Sequence, residues 1–141
     1  MIYVDSSVLV ALHVTERDSE VALGWFQRHT RQAFLCSDWT DVEVASALSR
    51  KVRSGKISIA ERQKAELAYR QTKRDSFEQV AVSPEHFQLA TIMVRHQETG
   101  LRSGDALHLA IADGYGSAIA TLDQTFAAAA AHFGVAVEPL F

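Results

Sequence analysis

The chain has 141 residues, 48% apolar and 22% charged, with a formal net charge of −3; this is the size of one ordinary globular domain, 1–141, able to bury roughly 70% of its unfolded surface. No apolar run approaches the ~18 residues needed to span a bilayer, and Asp5 stands where a secretion leader would be basic and then apolar, so a soluble, unexported, cytoplasmic protein is expected. Cys36 is the single cysteine, which excludes an internal disulfide and a thiolate zinc cage within one chain.

Ile2 to Asp5 is a short apolar run that stops at Asp5-Ser6-Ser7, and Val8 to Val14 continues almost wholly apolar, as expected of a buried strand feeding a buried helix that Ser6 or Ser7 can cap. Asp18 to about His29 predicts a helix, Ala33 to Ser37 a buried strand, and Asp38 to Ser54 a helix with Val44, Leu48 and Val52 at four-residue spacing, closed by Gly55. Ser58 to about Lys73 reads as a basic helix folded back on its predecessor, with Ile59, Leu67 and Ala68 as sparse apolar contacts. Gln79 to Val82 is the next strand candidate; Pro84 suits the first turn of a helix running to about Thr99, with Gly100 at its end. Ser103 to Ala112 predicts a helix, Ala118 to Leu122 a strand, Asp123 to Phe133 a helix ending at Gly134, and Val135 to Val137 a last strand. Short apolar strands alternating with helices imply an α/β fold with a mainly parallel sheet covered on both faces.

In such a sheet ligands bind beyond the carboxyl ends of the strands, and Asp5 and Asp123 each end a strand there. The two carboxylates meet if their strands are neighbours. Glu43 lies one turn into its helix on the stripe of Trp39, Ala47 and Arg50, with Asp38 and Asp41 close by in sequence; Asp105 opens a helix whose same face carries His108, Leu109 and Ala112. Burying several acids together is costly without cations. Magnesium or manganese, which prefer hard oxygen ligands and leave room for water and phosphate, would resolve that conflict and suit phosphodiester hydrolysis.

Four stretches resemble, in order and spacing, the signature of PIN-domain ribonucleases, most closely the VapC-type toxins of type II toxin–antitoxin systems. They are Tyr3-Val4-Asp5-Ser6-Ser7-Val8-Leu9, the Glu43 helix, Gly104-Asp105-Ala106-Leu107-His108-Leu109-Ala110, and Thr121-Leu122-Asp123-Gln124-Thr125-Phe126. The resemblance covers nearly the whole chain. It implies a three-layer α/β/α fold with a central, mainly parallel sheet, and it makes Asp5, Glu43, Asp105 and Asp123 the catalytic, metal-holding quartet, preferring Glu43 to Asp38 and Asp41. It also implies Ser6 or Ser7 and Thr121 close to the ion or its water, endonucleolytic cleavage of structured RNA such as tRNA or rRNA, a homodimer, and a VapB-type antitoxin that places a basic side chain in the acidic crevice.

Simpler readings stand beside these. An Asp between strand and helix is often only a cap, although none of Asp5, Asp105 and Asp123 has Glu or Gln three residues on to complete a capping box. Glu43 can serve merely as the partner of Arg50. His108 reads as a satisfied core histidine, Cys36 as inert core, and Trp25 and Trp39 as core packing. The remaining histidines lack zinc-hydrolase spacing, and no phosphate-cradling glycine loop is present. The segment from Arg50 to Arg74 holds nine of the fourteen basic residues against Glu61 and Glu66, net +7, leaving −10 on the rest of the chain. Such an arm is either a solvated helical face or an RNA contact through Arg50, Arg53 and Lys56. The alternatives to a nuclease are a catalytically silent PIN-like module that binds RNA or protein, and a metal-dependent phosphatase, whose second Asp is replaced by Ser7.

Overall fold

The computed structural model describes residues 1–140. Among these, β1 (Ile2–Val4), β2 (Phe34–Ser37), β3 (Phe77–Val80) and β4 (Ala118–Ala120) form one sheet in the order β3-β2-β1-β4, with every pairing parallel. The helices are α1 (Ser6–His13), α2 (Ser19–Arg28), α3 (Asp38–Arg53), α4 (Ile59–Ser76), α5 (Pro84–Val94), α6 (Ser103–Gly114) and α7 (Gln124–His132), and a 3-10 turn spans Gln97–Thr99.

β1, β2 and β4 are almost wholly apolar and buried because both faces of the sheet are covered there, whereas the edge strand β3 exposes Glu78 and Gln79; alternate side chains enter different cores. Ile2, Val4, Phe34 and Ala120 pack with Val8 and Leu9 of α1, Trp25 of α2, Val44 and Leu48 of α3 and Tyr69 of α4. Tyr3, Leu35 and Ile119 face the other way, onto Met93 of α5, Leu107 and Ile111 of α6 and Phe126 of α7. This is the expected three-layer α/β/α arrangement. Each fully buried aliphatic side chain contributes roughly 1.5–3 kcal/mol, and Val4, Val8, Leu109 and Ile119 are all at 0% exposure. No helix is long and apolar enough to cross a membrane among the described residues.

Several expectations are corrected. Ser6 and Ser7 do not cap α1; they are its first two residues, and Asp5 holds the cap position. β3 begins two residues earlier than expected because Phe77 stacks on Phe26 and Phe34. α5 stops at Val94, since Arg95 to Glu98 offer no apolar side chain to the core; the chain tightens into the 3-10 turn and leaves it through Gly100 at φ 66°. The expected last strand is reduced to one bridge between Ile119 and Val137, and Pro139 beyond it has no N–H with which to extend the ladder. On α4, Ala65 and Tyr69 are buried, whereas Ile59 and Leu67 are 60% and 68% exposed. Polar anchors set that rotation: Tyr69 Oη donates to Asp41 Oδ1 at 2.7 Å and Lys73 Nζ to Asp41 Oδ2 at 2.6 Å.

Candidate active site

Chain order in the sheet reverses between β1 and β4, which lie side by side with Val4 opposite Ala120. The residues leaving these two strands therefore meet in the crevice where doubly wound sheets bind ligands. The Asp5 N–H donates to the Ala120 carbonyl at 2.9 Å, which extends the pairing by one residue and sets Asp5 beside Thr121.

Asp5 is 4% exposed and its carboxylate makes no capping bond to α1. Instead Oδ2 accepts from Ser7 Oγ at 2.6 Å and Thr121 Oγ1 at 2.8 Å, and Oδ1 accepts from Ser6 Oγ at 3.3 Å. The same hydroxyls secure the next loop: Ser7 Oγ accepts the Leu122 N–H and Thr121 Oγ1 the Asp123 N–H, both at 3.1 Å. The capping reading fails for Asp5 and holds for Asp123, whose Oδ1 accepts the Phe126 N–H at 3.0 Å. Asp105 lies in the first turn of α6, past the cap position at Arg102.

Glu43 projects from α3 toward this point. Its Oε2 accepts from Ser6 Oγ at 2.8 Å and from His108 Nε2 at 2.8 Å. The other two acids at the start of α3 are committed elsewhere, Asp38 to the side chain of Gln79 and Asp41 to Tyr69 and Lys73. A Cβ on residue 104 would come within 2.5 Å of Glu43 Oε1, so Gly104 leaves space that the carboxylate occupies.

His108 is completely buried, and both ring nitrogens are bonded. An ionised carboxylate only accepts, so Nε2–H is committed to Glu43 and Nδ1 accepts from Tyr3 Oη at 2.8 Å. Tyr3 Oη in turn lies 2.7 Å from Ser37 Oγ and 3.1 Å from Thr40 Oγ1. The satisfied-core reading of His108 is right, but one of its partners is an acid of the crevice.

Asp5, Glu43, Asp105 and Asp123 line one open cleft of about 590 Å³, with Arg50 and Arg102 also in its lining. Burial, followed by the charges of Asp5, Asp123 and Glu43, pushes the Asp105 carboxyl up to about 6. On Glu43 burial also pushes upward, but the hydrogen bond and charge of His108, the Ser6 hydroxyl and the Arg50 guanidinium outweigh it and hold the carboxyl below its ordinary value. Asp5, Glu43 and His108 each offer a ligand atom within 4.8 Å of the others. Four carboxylates around one space, one of them with its proton affinity raised by burial and by the charges of the others, present hard oxygen donors that fit a divalent cation.

Of the basic residues singled out, Arg50 lines this cleft; Arg53 and Lys56 are exposed outside it, and Lys56 lines an adjoining groove with Arg17 and Lys51. Lys51 also reaches the cleft, but forms an ion pair with Glu16.

The sequence matches the PIN domain profile over residues 2–132. The chain belongs to the PIN-domain family. Solved structures resemble this PIN domain along almost its whole length. The sarcin-ricin-loop-cleaving toxin VapC20 of Mycobacterium tuberculosis is 20% identical, covering 92% of this chain and 95% of that one, with a TM-score of 0.74. FitAcB from Neisseria gonorrhoeae is 16% identical over 99% and 98%, at 0.70; VapBC2 from Rickettsia felis, bound to a promoter DNA fragment, is 15% identical over 98% of each, at 0.69. At such identities the likeness establishes the fold. No match was found among curated proteins.

Arg102, which lines the PIN-domain cleft, escaped the sequence reading altogether, as did the parts that His108 and Gly104 play against Glu43. Arg102 had no signal beyond lying three residues before Asp105. His108 was visible on the face of Asp105, three residues on. Gly104 was visible as a glycine immediately preceding a candidate acid.

Proposed function

We propose that this PIN domain is a metal-dependent endoribonuclease, the toxin of a toxin–antitoxin pair. The observation that carries the reading is the convergence of four acids from separate elements on one cleft, where burial and, after it, the charges of the other three raise the Asp105 carboxyl to about 6. A divalent cation of the magnesium or manganese class, held by Asp5, Glu43, Asp105 and Asp123, would neutralise that repulsion, polarise a phosphodiester and acidify the attacking water.

The protein's own groups do the positioning. Ser7 and Thr121 orient Asp5; Ser6 ties Asp5 to Glu43; His108 and Tyr3 fix Glu43 from the core side. Arg50 and Arg102 offer cations for the flanking RNA phosphates, contacts that position the strand without reading its sequence. Attack by water breaks the bond from phosphorus to the 3′-oxygen and leaves 3′-hydroxyl and 5′-phosphate ends, whereas attack by the RNA's own 2′-hydroxyl gives a cyclic phosphate.

The antitoxin partner is supported by likeness to FitAB and VapBC2, both solved with DNA, and by a negatively charged cleft able to receive a basic side chain. The same reading takes the active form to be a cytoplasmic homodimer; equilibrium sedimentation of the purified chain tests the dimer.

The deciding experiment incubates the purified chain and its Asp5→Asn variant with total cellular RNA and manganese, with and without chelator, and maps fragment ends. Cleavage by the wild type alone, abolished by chelator and leaving 5′-phosphates, is the expected result. Equal cleavage by both proteins overturns the mechanism, and metal-independent RNA binding without cleavage would assign the chain as a silent binding module.

A further inference from the structure

We propose that His96, Glu98 and His132 form a second metal site, for a zinc-class ion, apart from the oxygen-rich cleft. His96 precedes the 3-10 turn, Glu98 lies within it, and His132 is the last residue of α7. Glu98 Oε1 is 3.1 Å from His96 Nδ1 and 3.9 Å from His132 Nε2, and the three donor atoms all lie within 4.8 Å of one another. Ligands held ~2.0–2.2 Å from a tetrahedral zinc ion stand roughly 3.3–3.6 Å apart, so the two Glu98 contacts need adjustments of about half an ångström or less, and rotation of the two exposed imidazoles closes the set.

The two imidazoles share one packing support. Both set their planes nearly perpendicular to the ring of Phe133, at centroid distances of 5.3 Å and 5.0 Å and angles of 89° and 81°. All three ligand residues are exposed, which leaves the fourth position to water. Two imidazoles with one carboxylate suit zinc and its neighbours in the transition series; magnesium prefers an all-oxygen set. Without an ion the cluster is only a pair of exposed histidine–carboxylate contacts, of a kind that contributes little.

The bound ion would clip the 3-10 turn to the end of α7. That turn runs through Gly100 to Arg102 and Asp105, and Asp123 caps the start of α7. The clasp therefore ties together, from behind, two elements that lead into the cleft.

Because the carboxylates of the cleft offer a competing ligand set, the test is made on the full chain in the Asp5→Asn background, with zinc chloride titrated calorimetrically in excess magnesium. Asp5→Asn should bind one zinc ion and melt at a higher temperature with it. Adding His132→Ala or Glu98→Gln should weaken that binding by about tenfold or more and abolish the rise in melting temperature. Exposed residues at these positions leave the fold intact, so the variants remain measurable without metal. Zinc bound equally well by the double variants, or not bound by Asp5→Asn, overturns the proposal.

Discussion

The acid crevice and the α3–α4 hairpin carry opposite charge and handle it in opposite ways. In the crevice, like charges are pressed together by the sheet, and buried hydroxyls and one histidine hold the carboxylates without neutralising them. On the hairpin, cations point outward or find their own partners: Lys51 pairs with Glu16, Lys73 with Asp41 at 2.6 Å and Arg62 with Glu66 at 3.6 Å. Charge means different things in the two places. Clustered repulsion within a packed framework costs stability and marks a ligand site, whereas dispersed charge on a solvated helix contributes solubility and long-range steering.

The comparison breaks most easily at Asp5. Asp5→Asn should lower RNA cleavage on the order of a thousandfold, the several kcal/mol of transition-state stabilisation expected of a metal ligand. Its melting temperature should stay level or rise, because one of four repelling carboxylates is removed while α1 loses no capping bond. A marked fall in melting temperature would make Asp5 chiefly a structural anchor and erase the contrast.

Next in size is the support behind Glu43. Tyr3→Phe keeps the ring in the core but leaves His108 Nδ1 and Ser37 Oγ without their shared partner, which should cost about 1–3 kcal/mol in chemical denaturation. Manganese affinity, read by calorimetry, should fall by about tenfold, as when a residue orienting a ligand is lost. Loss of stability with unchanged manganese affinity would reduce the Tyr3–His108 chain to core packing.

A smaller effect comes from pH. The metal-free fold keeps a proton on Asp105 up to about 6, against an ordinary value of 3.8, so between these values the folded state binds more protons than the unfolded chain. This residue's contribution to stability therefore declines as pH rises through that window and stays at its lower level above it. A cation must displace the same proton. Manganese affinity should accordingly climb as pH rises to about 6 and flatten beyond, and Asp105→Asn should remove most of that slope. A flat profile in the wild type would show that the acids do not share a charge problem.

Much of this was legible in the sequence for a definite reason. Alternating apolar runs state the layers outright, and each candidate acid sits at a strand exit or on a helix face that periodicity locates. What periodicity cannot give is rotation on a weakly amphipathic helix. α4 turns Leu67 to solvent because Tyr69, Thr72 and Lys73 find polar partners on α1 and α3, contacts between segments that no local pattern encodes. The capping question was likewise undecidable from sequence: Asp5 and Asp123 look alike there, and only the hydroxyls converging from Ser7 and Thr121 keep Asp5 from bonding its own helix.

The smallest and most discriminating effect concerns where the basic arm meets RNA. If the hairpin only steers, Arg50, Arg53 and Lys56 are interchangeable and each replacement by Ala should shift the salt dependence of binding by the same small amount. The cleft predicts inequality. Arg50 stands at the acids' side of α3 and bears on Glu43 electrostatically, close enough for a phosphate to bridge it and the site, while Arg53 and Lys56 face solvent or the adjoining groove. Arg50→Ala should reduce the slope of log affinity against log salt by about 0.7, one single-strand phosphate contact, and Arg53→Ala by clearly less. The binding is measured with Asp5→Asn protein so that the RNA stays intact. Equal slopes for the two variants would return the whole arm to the role of a solvated, steering surface and leave phosphate positioning to Arg102.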